Sequence, residues 1–259
     1  MTDPAAPLHT LDPTARFSDR ARDYALYRPT YPPEAIDAII RATEMSSSRC
    51  LSAADIGAGT GISSRLLADR GVRVTAVEPN AGMRAAAEPH PHIEWRAGTA
   101  ERTGLADASV GVVLCAQAFH WFDADRALAE FHRILRPGGV LCLLWNDRDN
   151  TDPLTAAYSD AITRASDDHP ASRDRSECGQ VIFSTPLFSK AALDLFRFVQ
   201  RLSLEGLIGR ALSASYAPKT GPAHDELIAA LRAAHGRFKG PDGAVAMRYL
   251  TRLYTATRA

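Results

Sequence analysis

Short β-rich runs over 50–56, 72–78, 93–97, 110–115 and 140–145 alternate with helical patterns over 62–70, 81–88 and 124–135. Alternation at this spacing demands right-handed crossovers, and these build a parallel sheet with helices on both faces. The runs over 110–115 and 140–145 are almost continuously apolar, as strands covered on both faces should be. Asp123 is placed to cap the helix over 124–135, and Arg136-Pro137-Gly138-Gly139 to close it.

The last third of the chain reads differently. Residues 193–202 and 244–257 alternate as strands do, and the stretches 204–213 and 223–237 look helical, the second after Gly221-Pro222. The segment 166–190, with its charges, Ser, Gly and Pro, reads as a long loop or mobile lid. Near the start, 17–31 holds Tyr24, Tyr27, Arg28 and Tyr31 ahead of Pro32-Pro33, which suits a short helix and turn capping a cleft. A length of 259 residues fits one large domain or one domain with an elaborate cap.

Composition removes several classes. Lys+Arg and Asp+Glu both number 30, which argues against undirected attraction to nucleic acid or to an anionic membrane, while leaving a local patch possible. No apolar stretch approaches the roughly 20 residues that span a bilayer. The N-terminus lacks the basic start and apolar segment of a secretory signal, so a cytoplasmic protein is expected. Cys50, Cys115 and Cys142 sit in apolar strand patterns and Cys178 in a polar loop. None has metal-ligand or disulfide-framework spacing.

The chemistry is concentrated at Ala54-Asp55-Ile56-Gly57-Ala58-Gly59-Thr60-Gly61, which comes off the first strand and enters a helix. Glycines here allow a tight turn and let a ligand lie on bare backbone near the positive end of the helix. At the end of the second strand stands Glu78, where a carboxylate can accept both hydroxyls of a ribose. A dinucleotide loop reads GxGxxG, whereas this one reads GxGxG, with Ile62 in the last glycine's place, and no P-loop lysine follows. An acid such as Asp55 before the glycines suits a cofactor that carries an ammonium and no pyrophosphate. S-adenosylmethionine fits that description better than NAD.

On these residues the chain resembles the class I S-adenosylmethionine-dependent methyltransferases, in particular a small-molecule branch that includes trans-aconitate methyltransferase-like proteins. The resemblance runs over 17–149. It rests on Asp55 to Gly61, Val77-Glu78-Pro79-Asn80 with Met83, Gly98-Thr99-Ala100-Glu101, Ala116-Gln117-Ala118-Phe119-His120-Trp121-Phe122-Asp123 and Arg133 to Gly139. It implies a Rossmann-like, doubly wound α/β sheet of seven strands with the last strand antiparallel, an N-terminal helical cap and C-terminal helical insertions. One domain over 1–259 is expected, with a cap over 17–33, a cofactor-binding core over 50–149, and insertions plus two final strands over 150–259.

The resemblance also assigns roles. Gly57, Gly59 and Gly61 line the methionine and ribose part of S-adenosylmethionine, and Glu78 holds the ribose hydroxyls. Pro79 and Met83 pack on the adenine, with Thr99, Ala100 and Glu101 at its edge. Many relatives carry an aspartate where this chain has Thr99, which leaves the adenine contact to Ala100 backbone groups or the Glu101 side chain. Ala116 and Gln117 face the methionine end, although Gln117 also reads as a plain loop residue.

His120 follows the fourth strand and is read either as a catalytic base or as a packing residue that positions its loop. Arg28 and Arg148 are anchors for a carboxylate or other substrate group, or else solvated arginines. Tyr24 and Trp145 are walls of a substrate site or members of the core. The expected partner is a small-molecule acceptor, with no nucleic acid, membrane or metal. DNA amino-methylating enzymes carry an Asn/Asp/Ser-Pro-Pro-aromatic motif where this chain has Ala116-Gln117-Ala118-Phe119. The alternative class is a binding module, or an enzyme that uses the same cofactor for a reaction such as cyclisation.

Overall fold

The structure, a computed structural model, describes residues 26–44, 52–167 and 175–259. Helix α1 (Pro33–Glu44) precedes β1 (Ser52–Ile56), α2 (Ile62–Ala68), β2 (Arg73–Val77), α3 (Ala81–Ala85), β3 (Ile93–Arg96) and β4 (Val110–Ala116). Then come α4 (Ala124–Ile134), β5 (Leu135–Arg148), α5 (Pro153–Ala165), β6 (Phe188–Leu202), α6 (Leu204–Leu212), α7 (Pro222–Phe238) and β7 (Val245–Arg258).

The strands form one sheet in the order β3-β2-β1-β4-β5-β7-β6. Strands β1 to β5 pair in parallel, and β7 runs antiparallel between β5 and β6, which is the sheet the sequence led one to expect. The chain walks outward from β1 to β3 and then returns to lay β4 on the other side of β1. The order therefore reverses between β1 and β4, and a crevice opens beyond their carboxyl ends, where sheets of this kind bind ligands.

Two apolar layers cover the sheet. On one face, Ile36 and Ile39 of α1 and Leu67 of α2 pack on Val74, Val112 and Leu114. On the other, Leu128, Phe131 and Ile134 of α4 pack on Ile56, Val113 and Leu143. A third cluster joins α5, α6 and α7 to β7 through Tyr158, Leu207, Leu231 and Tyr249. No described helix is long and apolar enough to cross a membrane.

Local chemistry sets the ends of these elements. Asp123 caps α4 by accepting the N–H of Arg126, and Asp152 caps α5 by accepting that of Thr155 ahead of Pro153 at the first helical position. Two expectations need correction. Arg136-Pro137-Gly138-Gly139 does not close α4: the helix stops at Ile134, and these residues form the irregular start of β5, where pairing with β4 shifts register between Val110 and Val112. Nor is 166–190 an open loop in its described part. A 3-10 helix (Ser176–Phe183) packs there, with Ile182 buried in the core, Gly179 against the ring of Tyr254, and the Ser176 hydroxyl on Asp147 Oδ2.

Candidate functional site

The three loop glycines all have positive φ, at 70° for Gly57, 59° for Gly59 and 81° for Gly61. Gly57 also has no space for a side chain, because a Cβ would lie 2.7 Å from that of Ala118. The turn is tied to its neighbours: the Gly57 N–H donates to Val77 O at 2.9 Å, and the Gly61 N–H to Ala58 O at the same distance.

Asp55, fully buried at the end of β1, accepts the hydroxyls of Ser63 (2.7 Å) and Ser64 (2.6 Å) on Oδ2. Burial pushes its pKa up to about 6, against the lowering effect of the two serines. Its Oδ1 is enclosed and has no partner. A carboxylate oxygen left unsatisfied in the interior is costly.

Glu78, almost wholly buried just past β2, accepts the N–H of Gly59 on Oε2 at 3.0 Å and that of Asn80 on Oε1 at 2.8 Å. Burial raises its pKa and the two amides oppose the rise. One carboxylate thus joins the glycine loop to the start of α3. Asn80 caps that helix by accepting the N–H of Met83, whose side chain is buried, while Pro79 is half-buried. At the next strand end, Thr99 is exposed and Ala100 buried. Glu101 Oε1 accepts the N–H of Asp123 at 3.0 Å, so that this carboxylate is already engaged in holding the start of α4.

At the end of β4, Gln117 takes a positive φ of 56°, a costly conformation for a residue with a side chain. Its Nε2 donates to Asn146 O at 3.1 Å. Asn146 is in turn pinned, donating to Thr30 O at 2.8 Å and accepting the Thr251 hydroxyl at 2.6 Å. Trp145 is a core residue, packed edge-on against Tyr254, and its Nε1 donates to His120 Nδ1 at 3.2 Å. An indole nitrogen only donates, so His120 Nδ1 accepts and the neutral ring keeps its proton on Nε2. Burial pushes the His120 pKa down to about 3, and the guanidiniums of Arg175 and Arg28 push the same way.

Arg28, Tyr31, Gly57, Ser63, Ala116 and Gln117 line one recess of about 430 Å³, part of it open to solvent. Asn146 and Arg210 complete its polar wall. Arg28 also donates to Ser213 O at 3.2 Å. The recess therefore brings together Gly57, the end of β4 and Arg28 and Tyr31 of the N-terminal segment, whereas Gly59, Gly61, Glu78, Met83 and His120 do not line it. Arg148 and Trp145 do not line it: the Arg148 guanidinium lies 5.9 Å from the Tyr158 ring centre. Tyr24 lies outside the described residues.

Arg210 is the site residue that sequence reading passed over. It stands in the last turn of α6, where a basic residue needs no further reason than the helix dipole. It is nevertheless 9% exposed, in contact with the phenol of Tyr249 and near those of Tyr158 and Tyr216. Burial works to lower its pKa, and the three phenols more than offset that.

A family model described as "Methyltransferase domain" matches residues 54–143, the stretch from the glycine loop to β5. An uncharacterized methyltransferase of Schizosaccharomyces pombe is 30% identical over 193 residues, 74% of this chain and 75% of its own. An uncharacterized methyltransferase of Mycobacterium tuberculosis H37Rv is 45% identical over 142 residues, and the match spans 53% of this chain and 55% of that relative's length. A solved structure from Anaeromyxobacter dehalogenans, described as a candidate type II methyltransferase, is 28% identical, with a TM-score of 0.66 over 89% of this chain and 98% of its own. With a methyltransferase 30% identical over three quarters of both chains and the methyltransferase-domain model matched over the glycine loop, the chain belongs to the class I S-adenosylmethionine-dependent methyltransferases.

Proposed function

We propose that the protein transfers a methyl group from S-adenosylmethionine to a small-molecule acceptor. The observation that carries this reading is the joint made by Glu78 with the Gly59 amide at the point where the strand order reverses. It fixes an acid and a bare-backbone bend in one crevice.

The residues fit the cofactor. The unpartnered Asp55 Oδ1 and the serines beside it suit an ammonium end, and the Arg28 guanidinium suits a carboxylate. Glu78 suits a ribose, while Pro79 and Met83 suit the base. Ala100 and Glu101 stand at the base's edge, with the Glu101 carboxylate partly committed to Asp123. When bound, S-adenosylmethionine supplies a sulfonium methyl that passes to an acceptor lone pair as the carbon–sulfur bond breaks and its electron pair stays on sulfur.

The protein's share of the work is alignment and exclusion of water. Gln117, held strained by Asn146, presents its backbone and amide to the reacting end. His120 does not line the recess, and with Nδ1 turned to Trp145 it serves to hold its loop rather than to take a proton from the acceptor. Among the described residues, the lining presents neither carboxylate nor imidazole, and this favours an acceptor that needs no proton removed.

The balanced charge supports a dissolved acceptor in the cytoplasm rather than nucleic acid, and among the described residues no helix is long and apolar enough to cross a membrane. The test is incubation with S-adenosylmethionine and panels of small acids, phenols and amines, read by mass spectrometry. A gain of one methyl on an acceptor supports the proposal. Cofactor binding with no methyl gained on any panel member favours a binding module or a non-methylating reaction.

A further inference from the structure

Arg210 poses a specific electrostatic problem. A guanidinium stays charged at any ordinary pH, and an unpaired charge in the interior is strongly unfavourable. Buried arginines accordingly meet carboxylates. Among the described residues no acid forms an ion pair with Arg210, and its Nε is enclosed without any acceptor. Phenols act on it: that of Tyr249, which is itself 3.1 Å from Gln200 Oε1, and those of Tyr158 and Tyr216. It borders the same recess as Arg28 and the glycine loop.

Charge counting at that recess gives the missing partner. Two guanidiniums, Arg28 and Arg210, border it, and among the described residues no acidic side chain does. Resting on the methyltransferase reading, the cofactor would bring one carboxylate, but also an ammonium and a sulfonium. With the carboxylate on Arg28 and the ammonium on Asp55, the Arg210 guanidinium is left without a counter-charge, and the sulfonium adds to the positive charge beside it. A second anion, from the acceptor, balances it. An acceptor that arrives ionised also matches a lining that, among the described residues, has no carboxylate or imidazole to take its proton.

We infer that Arg210 anchors an anionic oxygen group, a carboxylate or a phosphate, on the methyl acceptor. The planar fork of a guanidinium grips either group through two parallel hydrogen bonds, which an ammonium cannot reproduce.

The test uses full-length protein saturated with S-adenosylhomocysteine, titrated in a calorimeter with malonate and, separately, with inorganic phosphate. At least one of them binds saturably to the wild type, and the one that binds identifies the acceptor group as carboxylate or phosphate. Arg210→Met weakens that binding at least tenfold, Arg210→Lys weakens it less, and affinity for S-adenosylhomocysteine alone stays within twofold in both. Circular dichroism verifies the fold, and Arg210→Lys carries the comparison if Arg210→Met does not fold.

The inference is overturned if neither anion binds, if Arg210→Met or a lone folded Arg210→Lys binds as the wild type does, or if S-adenosylhomocysteine affinity falls in step with anion affinity. The last result would give Arg210 to the cofactor. Failure of the wild type to bind S-adenosylhomocysteine at all sinks the methyltransferase reading instead, so the two failures are distinguishable.

Discussion

Trp145 donates its indole N–H to Nδ1 of His120 at 3.2 Å, and through this bond the core of the sheet decides which nitrogen of a neutral imidazole at its carboxyl edge carries the proton. His120 resists protonation until about pH 3, whereas in the unfolded chain it takes up a proton near its ordinary value of 6.5. Between these values the unfolded state binds more protons, and this residue's share of the stability is lost as the pH falls. Asp55 works in the opposite sense, since its folded-state pKa is raised to about 6.

The His120 contribution is isolated by comparing urea unfolding of wild type and His120→Asn at pH 7 and pH 4. The wild type should lose about 2 kcal/mol more than the variant on acidification, after discounting for partial exposure of the ring. Equal losses would show that the ring is protonated readily in the fold.

Glu78 ties Gly59 to Asn80 and is assigned the ribose hydroxyls. Glu78→Ala should weaken S-adenosylhomocysteine binding by about 1–3 kcal/mol in calorimetry, the loss expected for hydrogen bonds to a charged group. An unchanged affinity removes the ribose role.

Gly57 and Gly71 both have positive φ, yet only Gly57 is crowded, whereas nothing lies within 4 Å of a Cβ at Gly71. Gly71→Ala should cost only the backbone strain, about 1 kcal/mol, and Gly57→Ala about 2 kcal/mol or more because Ala118 must also shift. Melting temperatures measure both, and the order Gly57 worse than Gly71 is the prediction.

The strands were legible because burial on both faces forces nearly continuous apolar runs, as in Val112–Cys115 and Val140–Trp145. The motif at Asp55–Gly61 was legible because positive φ selects glycine. The helices α1 and α5 passed unnamed although each opens with proline at a first helical position. The packing of Ile182 was hidden because one buried side chain in a polar segment leaves no period. Arg210 was hidden for a different reason: the phenols that act on it, those of Tyr158 and Tyr249, lie far away in sequence.

Glu101 shows the limit of motif reading. The motif places it at the adenine edge, but the carboxylate accepts the Asp123 N–H, a long-range contact that spacing does not reveal.

The central claim is that the bend at the end of β1 and the acid at the end of β2 form one nucleoside seat. Equilibrium dialysis of the purified protein against radiolabelled S-adenosylhomocysteine tests it most directly. The account predicts saturation at one molecule per chain, displaced by unlabelled S-adenosylmethionine and not by NAD. Absence of saturable binding, or displacement by NAD with equal ease, would contradict it.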